Sequence, residues 1–302
     1  MIRRRLRPLC GVLVVVAVVG SAACSASRVP PPDRPVFVGS SATSSAPSAS
    51  VSPATAASAV AGATPTPATS VPGATPVGTR APVVDHGPRT GDKVALTFDA
   101  DMTDGMLGHL RAGRVTSYAN LRILDLLERE RVPATFFLTG MWVRRYPDVT
   151  RRIADNPRFE LANHTYGHAA FTADCYDLPR LPVDELAGDV AKTFEVIKPY
   201  GGRQTRYFRF PGLCHDAATL DALAPLGVTV VDGDVVSGDP FAAAWKPLVR
   251  AVLDHVRPGS VVIMHVTEAN AAMTDEALPH ILDGLRERGL VPAPLSEVLA
   301  AA

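Results

Sequence analysis

His164 and His168 stand with three residues between them, and Asp99 and Asp101 flank Ala100 at the end of an apolar run. Two imidazoles and one carboxylate are a common ligand set for catalytic zinc, one that leaves coordination positions open for water and substrate. The histidine pair alone says little, since such pairs are common on surfaces; both rings face one way if the chain enters a helix there. The aspartates change this. Neither has a basic neighbour in sequence, so the two repel unless a cation or a proton intervenes. A metal held by one of them resolves the repulsion and frees the other as a general base toward water that the cation makes more acidic. On an extended strand their spacing puts both on one face, which leaves open which of them is the ligand.

Two further residues complete the candidate chemistry. His265 follows the apolar run 261–264 and is placed to protonate a leaving amine, with an aspartate such as Asp234 to orient its ring. Arg209 is placed to hold the catalytic aspartate.

Residues so far apart in sequence need a scaffold that gathers them. From Lys93 onward, short apolar runs alternate with helical patterns, the signature of βα units around a parallel sheet. The runs 94–98, 134–138, 159–162, 207–210, 228–231, 261–264 and 290–291 are the expected strands. Leu121, Leu124 and Leu127 recur at helical spacing, as do Leu186, Val190, Phe194 and Ile197, and the pair Gly201-Gly202 marks where the second of these helices ends. Such repeats with right-handed crossovers close or nearly close into a barrel whose functional residues lie at the C-terminal ends of the strands. Asp99, Asp101, His164, Arg209, Asp232, Asp234 and His265 all fall at such ends, which implies one pocket.

The remainder of the chain bears on where this domain works. Arg3, Arg4, Arg5 and Arg7 precede an apolar run from Leu9 to Val19, then small residues and Cys24. That is an export signal over 1–23, and its apolar run is shorter than the roughly 20 residues that span a bilayer. Small residues ending at a cysteine imply lipid on Cys24 and a membrane-held protein facing outward; cleavage and release is the alternative. Residues 24–88 are rich in Ala, Ser, Pro and Thr, a composition that cannot bury enough surface to fold, and read as a tether to a domain at 89–302. Thirty basic and thirty acidic residues cancel, and no basic stripe marks a nucleic-acid partner. Cys175 and Cys214 remain outside the export segment; in an oxidising compartment, each just after a candidate site motif, they are expected to form a disulfide bracing two site loops. Nothing in the sequence implies more than a monomer.

Five stretches carry a family resemblance: Thr97-Phe98-Asp99-Ala100-Asp101, Asn163-His164-Thr165-Tyr166-Gly167-His168, Arg209-Phe210-Pro211-Gly212, Asp234-Val235-Val236-Ser237-Gly238-Asp239 and Ile263-Met264-His265. In order, they resemble the five motifs of the polysaccharide deacetylases, the family 4 carbohydrate esterases that share the NodB homology domain. The resemblance implies an α/β fold, a distorted (β/α)7-8 barrel. It implies Asp99 as general base, Asp101, His164 and His168 as ligands of a divalent metal such as Zn2+, Arg209 as the residue orienting Asp99, and His265 as acid. Asp234 is the first choice to tune His265 and Asp239 the second. The implied reaction removes N-acetyl groups from glucosamine-type units of an acetylated polysaccharide, peptidoglycan or chitin-like, with a backbone N–H of Gly212 or Leu213 stabilising the oxyanion.

The sequence departs from the family pattern at three places. Ala100 separates aspartates that are usually adjacent, so the roles of Asp99 and Asp101 could be exchanged. Gly233 stands where the fourth motif usually has a tryptophan. The stretch 102–119 is longer than usual and is the candidate specificity element. Trp142 and Trp245 are either sugar-stacking platforms or packing residues. An O-acetyl esterase acting on acetylated polysaccharide and a non-catalytic carbohydrate-binding relative are the competing functions.

Overall fold

The computed structural model describes residues 80–300; the export segment, Cys24 and the tether up to residue 79 lie outside them. Among the described residues the strands are β1 Val83–Val84, β2 Lys93–Ala100, β3 Ala134–Leu138, β4 Phe159–Asn163, β5 Arg203–Phe208, β6 Thr229–Val231, β7 Val235–Val236, β8 Val261–His265 and β9 Val291–Ala293. The α-helices are α1 Asp104–Arg111, α2 Leu121–Arg129, α3 Gly140–Arg145, α4 Pro147–Asp155, α5 Leu186–Ile197, α6 Ala217–Leu223, α7 Trp245–Leu253, α8 Thr274–Glu287 and α9 Leu295–Ala300.

The strands form one sheet in the order β1-β6-β5-β4-β3-β2-β8-β7, with β9 beside the start of β2. Every ladder between them is parallel, and the sheet curls into a half barrel, as the βα pattern implies. The central strands are buried on both faces, so their sequences are mostly apolar rather than alternating. In β2 the even residues Val94, Leu96, Phe98 and Ala100 join the large core beneath the helices. Ala95 packs in a smaller cluster with Phe137, Val231 and Val261. Thr97 and Asp99 continue that row toward the C-terminal rim, where Asp101 follows.

All seven expected strands are present, Ala134–Leu138 with the expected bounds and the others with shifted ends. β5 stops at Phe208, so Arg209 and Phe210 lie just beyond it. The two unexpected strands, β1 and β7, have two residues each, too few for any hydrophobic period to register.

The last residues read as tether belong to this domain. Ala81 is buried, Val83–Val84 pairs with β6, and His86 forms a bridge to Ser260 ahead of β8. The Gly87 N–H donates to the Gly259 carbonyl at 2.8 Å. Gly259 has φ 79°, and a Cβ there would lie 2.2 Å from the Pro88 oxygen, so only glycine admits the strap. A strand-capable segment such as Ala-Pro-Val-Val has the same composition as an extended linker, which is why its role is invisible until a partner strand is known. Arg89 completes the strap, donating to Asp234 at 2.7 Å and to Ser260 at 3.1 Å. Replacing Arg89 by alanine leaves a half-buried carboxylate without its charged donor and is expected to lower unfolding stability by about 1–3 kcal/mol. A urea midpoint equal to wild type would show the strap to be incidental.

Candidate active site

The C-terminal ends of β2, β4, β5 and β8 meet at one rim, and there Asp99, Asp101, His164, His168 and His265 line a cleft of about 430 Å³. Asp99 lies level with His265 across the β2–β8 ladder. Asp99, Asp101, His164 and Arg209 are all buried, so their charges interact more strongly than exposed ones would.

Asp101 is the carboxylate brought to both imidazoles. Its Oδ1 lies 3.3 Å from His168 Nε2 and 3.6 Å from His164 Nε2. Ligand atoms of the three residues all fall within 4.8 Å of one another. Asp99 is differently engaged: its Oδ1 accepts from Arg209 Nη1 at 2.6 Å, and its Oδ2 stays 3.8 Å from His164 Nε2. Arg209 is itself fixed across the barrel interior, donating to the Val231 carbonyl and the Thr97 hydroxyl, each at 3.0 Å, with its guanidinium 4.0 Å from the Phe137 ring centroid.

The histidine loop is held by an arrangement other than the expected helix. No helix follows β4; instead Thr165 and His168 take left-handed backbone with φ 67° and 56°, and this turn swings both rings inward. The strain persists because the loop is tied on every side. Carbonyls of Thr165 and Tyr166 accept the first free N–H groups of α3, Asn163 Oδ1 accepts from Thr165 N, and Asp189 Oδ1 accepts from Tyr166 N. Tyr166 lies over Gly140, where a Cβ would come within 2.3 Å of its ring.

These residues fit a divalent cation. Asp101 Oδ1 is buried and has no hydrogen-bond partner, an arrangement that is costly unless a cation meets it. His164 Nδ1 donates to the Arg209 carbonyl at 2.9 Å, which leaves the Nε2 lone pair directed at the cluster, as a metal-binding imidazole requires. Burial works to raise the Asp101 carboxyl, but His168, His265 and His164 around it outweigh this and hold it well below the usual carboxylate range. Burial pushes His168 down to about 4 against the pull of Asp101, so its ring is neutral near neutral pH.

His265 is paired with Asp239, which corrects the choice of Asp234. His265 Nδ1 lies 2.8 Å from Asp239 Oδ1, and Asp239 Oδ2 accepts from the His265 backbone N–H and the Thr274 hydroxyl, each at 2.7 Å. The reason is strand direction. β7 pairs with β8 in parallel, Val235 beside Val262 and Val236 beside Ile263, so Asp234 falls level with Val261 at the wrong end. Its oxygens are taken by Arg89, Ser260 and the Val261 N–H. Burial opposes charge on His265, yet Asp239 and Asp101 lift it to about 10.

Asp232 pairs with His215 at 2.8 Å and is not part of the cluster. Cys175 and Cys214 form the expected disulfide. Leu213 N–H donates to the Phe210 carbonyl, which leaves Gly212, a residue lining the cleft, as the remaining candidate oxyanion donor. The stretch 102–119 contains α1 and lines a separate groove of about 960 Å³ through Asp104, Gly105 and Leu107; none of its residues lines the cleft. Trp142 is fully buried, and Trp245 stacks on His280 at 4.2 Å, so neither offers a sugar platform in the cleft. Beside the buried Phe210, the cleft is lined by two exposed aromatics, Tyr176 and Phe241, which sequence reasoning missed. Their positions, directly after Cys175 and two residues after Asp239, were the available signal.

Residues 86–231 match the family model described as polysaccharide deacetylase. The uncharacterized protein YlxY of Bacillus subtilis is 26% identical over 178 residues, 59% of this chain and 52% of that protein, so the match spans about half of YlxY. A chitooligosaccharide deacetylase of Bradyrhizobium sp. is 29% identical over 188 residues, covering 58% of this chain and 82% of the relative. A peptidoglycan-N-acetylglucosamine deacetylase of Bacillus cereus is 28% identical over 204 residues, 67% of this chain and 66% of that one. Two solved structures, each 24% identical, share the fold. A family 4 carbohydrate esterase pseudoenzyme from Bacillus anthracis gives a TM-score of 0.58 over 72% of this chain and 69% of that one. A peptidoglycan N-acetylglucosamine deacetylase gives 0.61 over 75% and 96%. The curled parallel sheet and the rim that it builds define the NodB-homology class. Over residues 86–231 the chain is similar to the polysaccharide deacetylase family within it.

Proposed function

We propose that this protein is an exported, metal-dependent hydrolase that removes N-acetyl groups from N-acetylglucosamine-type units of an extracellular or cell-wall polysaccharide. The observation that carries this reading is the joint placement of the Asp101, His164 and His168 cluster with Arg209-bound Asp99 and Asp239-bound His265 around one cleft. A complete set of this kind argues for catalysis over a binding-only relative, although the fold itself also occurs in a pseudoenzyme. The arginine-rich start and Cys24 support export with a lipid anchor. The curated relatives named for chitooligosaccharide and peptidoglycan support the substrate class.

Asp101, His164 and His168 would hold the cation, which when bound supplies Lewis acidity toward the acetyl carbonyl and makes water more acidic. Asp99 takes a proton from the attacking water, and Arg209 fixes the carboxylate in the geometry that this transfer needs. Water oxygen bonds to the carbonyl carbon, and the Gly212 N–H is placed to donate to the oxygen that gains charge. His265, charged and held by Asp239, gives its Nε2 proton to the sugar nitrogen as the C–N bond breaks. Acetate and a free amine leave.

Because His265 must be protonated, activity should fall at high pH as this ring loses its proton. Asp239→Asn removes the negative charge that lifts the ring, so the alkaline limb of kcat/KM is expected to move to lower pH by about one unit or more. A variant that is slower with an unmoved limb would assign Asp239 a structural part only. The reading as a whole is tested by acetate release from N-acetylglucosamine oligomers, against O-acetylated xylan as the alternative substrate.

A further inference from the structure

The lip of the cleft carries two aromatic rings that the reaction does not use. Tyr176 is 67% exposed and Phe241 80% exposed, yet both line the cleft that holds Asp99, Asp101 and His265. Large apolar side chains left open beside a site mark a surface that a ligand covers. Their ring centroids are 6.2 Å apart with planes 30° from parallel.

The mounting of the rings is specific. Tyr176 has φ 52°, a conformation unfavourable for a bulky residue, and it directly follows the disulfide-bonded Cys175. Its ring lies so close to Gly212 that a Cβ there would approach within 2.9 Å. Phe241 closes the short turn Asp239–Phe241, whose first residue is the buried partner of His265. One ring is thus tied to the oxyanion side of the cleft and the other to the acid side. Strain held in place beside a site is a reason to look for a ligand contact there.

The separation decides how a sugar can sit. A pyranose sandwiched between two rings needs roughly 7–8 Å between them, two van der Waals contacts of about 3.5–4 Å each. At 6.2 Å the rings touch each other instead, so they act as one surface and a sugar lies across their exposed faces.

We propose that Tyr176 and Phe241 form a single aromatic platform that binds the apolar C–H face of the sugar unit adjacent to the one being deacetylated, so that the site prefers chains over single sugars. The inference rests on the deacetylase reading above and adds to it the chain as substrate. Binding energy gathered at a neighbouring unit accelerates the reaction only for substrates long enough to reach it.

The experiment compares zinc-loaded wild type, Phe241→Ala, Tyr176→Asn and Tyr176→Phe on an N-acetylglucosamine tetramer and on ethyl acetate, which is too small to reach the rings. Asparagine tolerates the left-handed backbone, so Tyr176→Asn removes the ring without adding strain. Loss of either ring is expected to lower kcat/KM for the tetramer about tenfold and leave the ethyl acetate rate unchanged, with Tyr176→Phe retaining wild-type rates. Equal losses on both substrates, or no loss on either, would overturn the platform. A wild-type protein that releases acetate from neither substrate would instead overturn the deacetylase reading beneath it.

Discussion

Asp99→Asn protein is expected to fold and bind zinc as the wild type does while releasing acetate about a thousandfold more slowly, the usual order for loss of a general base. The asparagine is nearly isosteric and still accepts from Arg209 Nη1, which now sits 2.6 Å from Asp99 Oδ1. The ligand cluster is untouched, because the Asp99 oxygen nearest to it is 3.8 Å from His164 Nε2. What disappears is a basic oxygen facing the cleft. Acetate release measured beside elemental analysis separates the two roles. Should Asp99→Asn lose zinc instead, the assignments of Asp99 and Asp101 are exchanged.

The complementary substitution removes the metal. Asp101→Asn replaces an anion that lies 3.3 and 3.6 Å from two imidazoles by a neutral, weakly coordinating amide. Zinc affinity should fall at least about a hundredfold, and activity at sub-saturating zinc with it. The wild-type carboxylate is already anionic and His168 already neutral near neutral pH, so binding there displaces no proton from either. Isothermal titration of chelator-treated protein reports the affinity directly. Unchanged affinity in Asp101→Asn would remove this residue from the ligand set.

The two variants bear on the point that the sequence left open, since Ala100 allowed either aspartate to be the ligand. What resolves the geometry is Arg209, whose reach across the barrel to Asp99 depends on β2 and β6 being brought together. His164, His168, Asp99, Asp101, Arg209 and His265 were legible because each follows an apolar run long enough to recognise as a strand. Asp239 ranked only second to Asp234, because the strand that carries it past the rim is only Val235–Val236. With so short a strand unseen, Asp234 and Asp239 look equivalent, and only the parallel register with β8 separates them. The left-handed turn at Thr165 and His168 was likewise hidden: β-branched threonine rarely takes positive φ, histidine does so only as a minority conformation, and the spacing suits a helix equally well. The strap at 80–88 was lost to composition, since it reads as tether until β6 and Ser260 are placed beside it.

Metal-dependent deacetylation is tested most directly by acetate release from N-acetylglucosamine oligomers after chelator treatment and stepwise return of Zn2+. The expected result is negligible release from stripped protein, with activity rising linearly and reaching its plateau at one equivalent of zinc per chain. Full activity in the stripped protein, or no acetate release after zinc is bound, would contradict it.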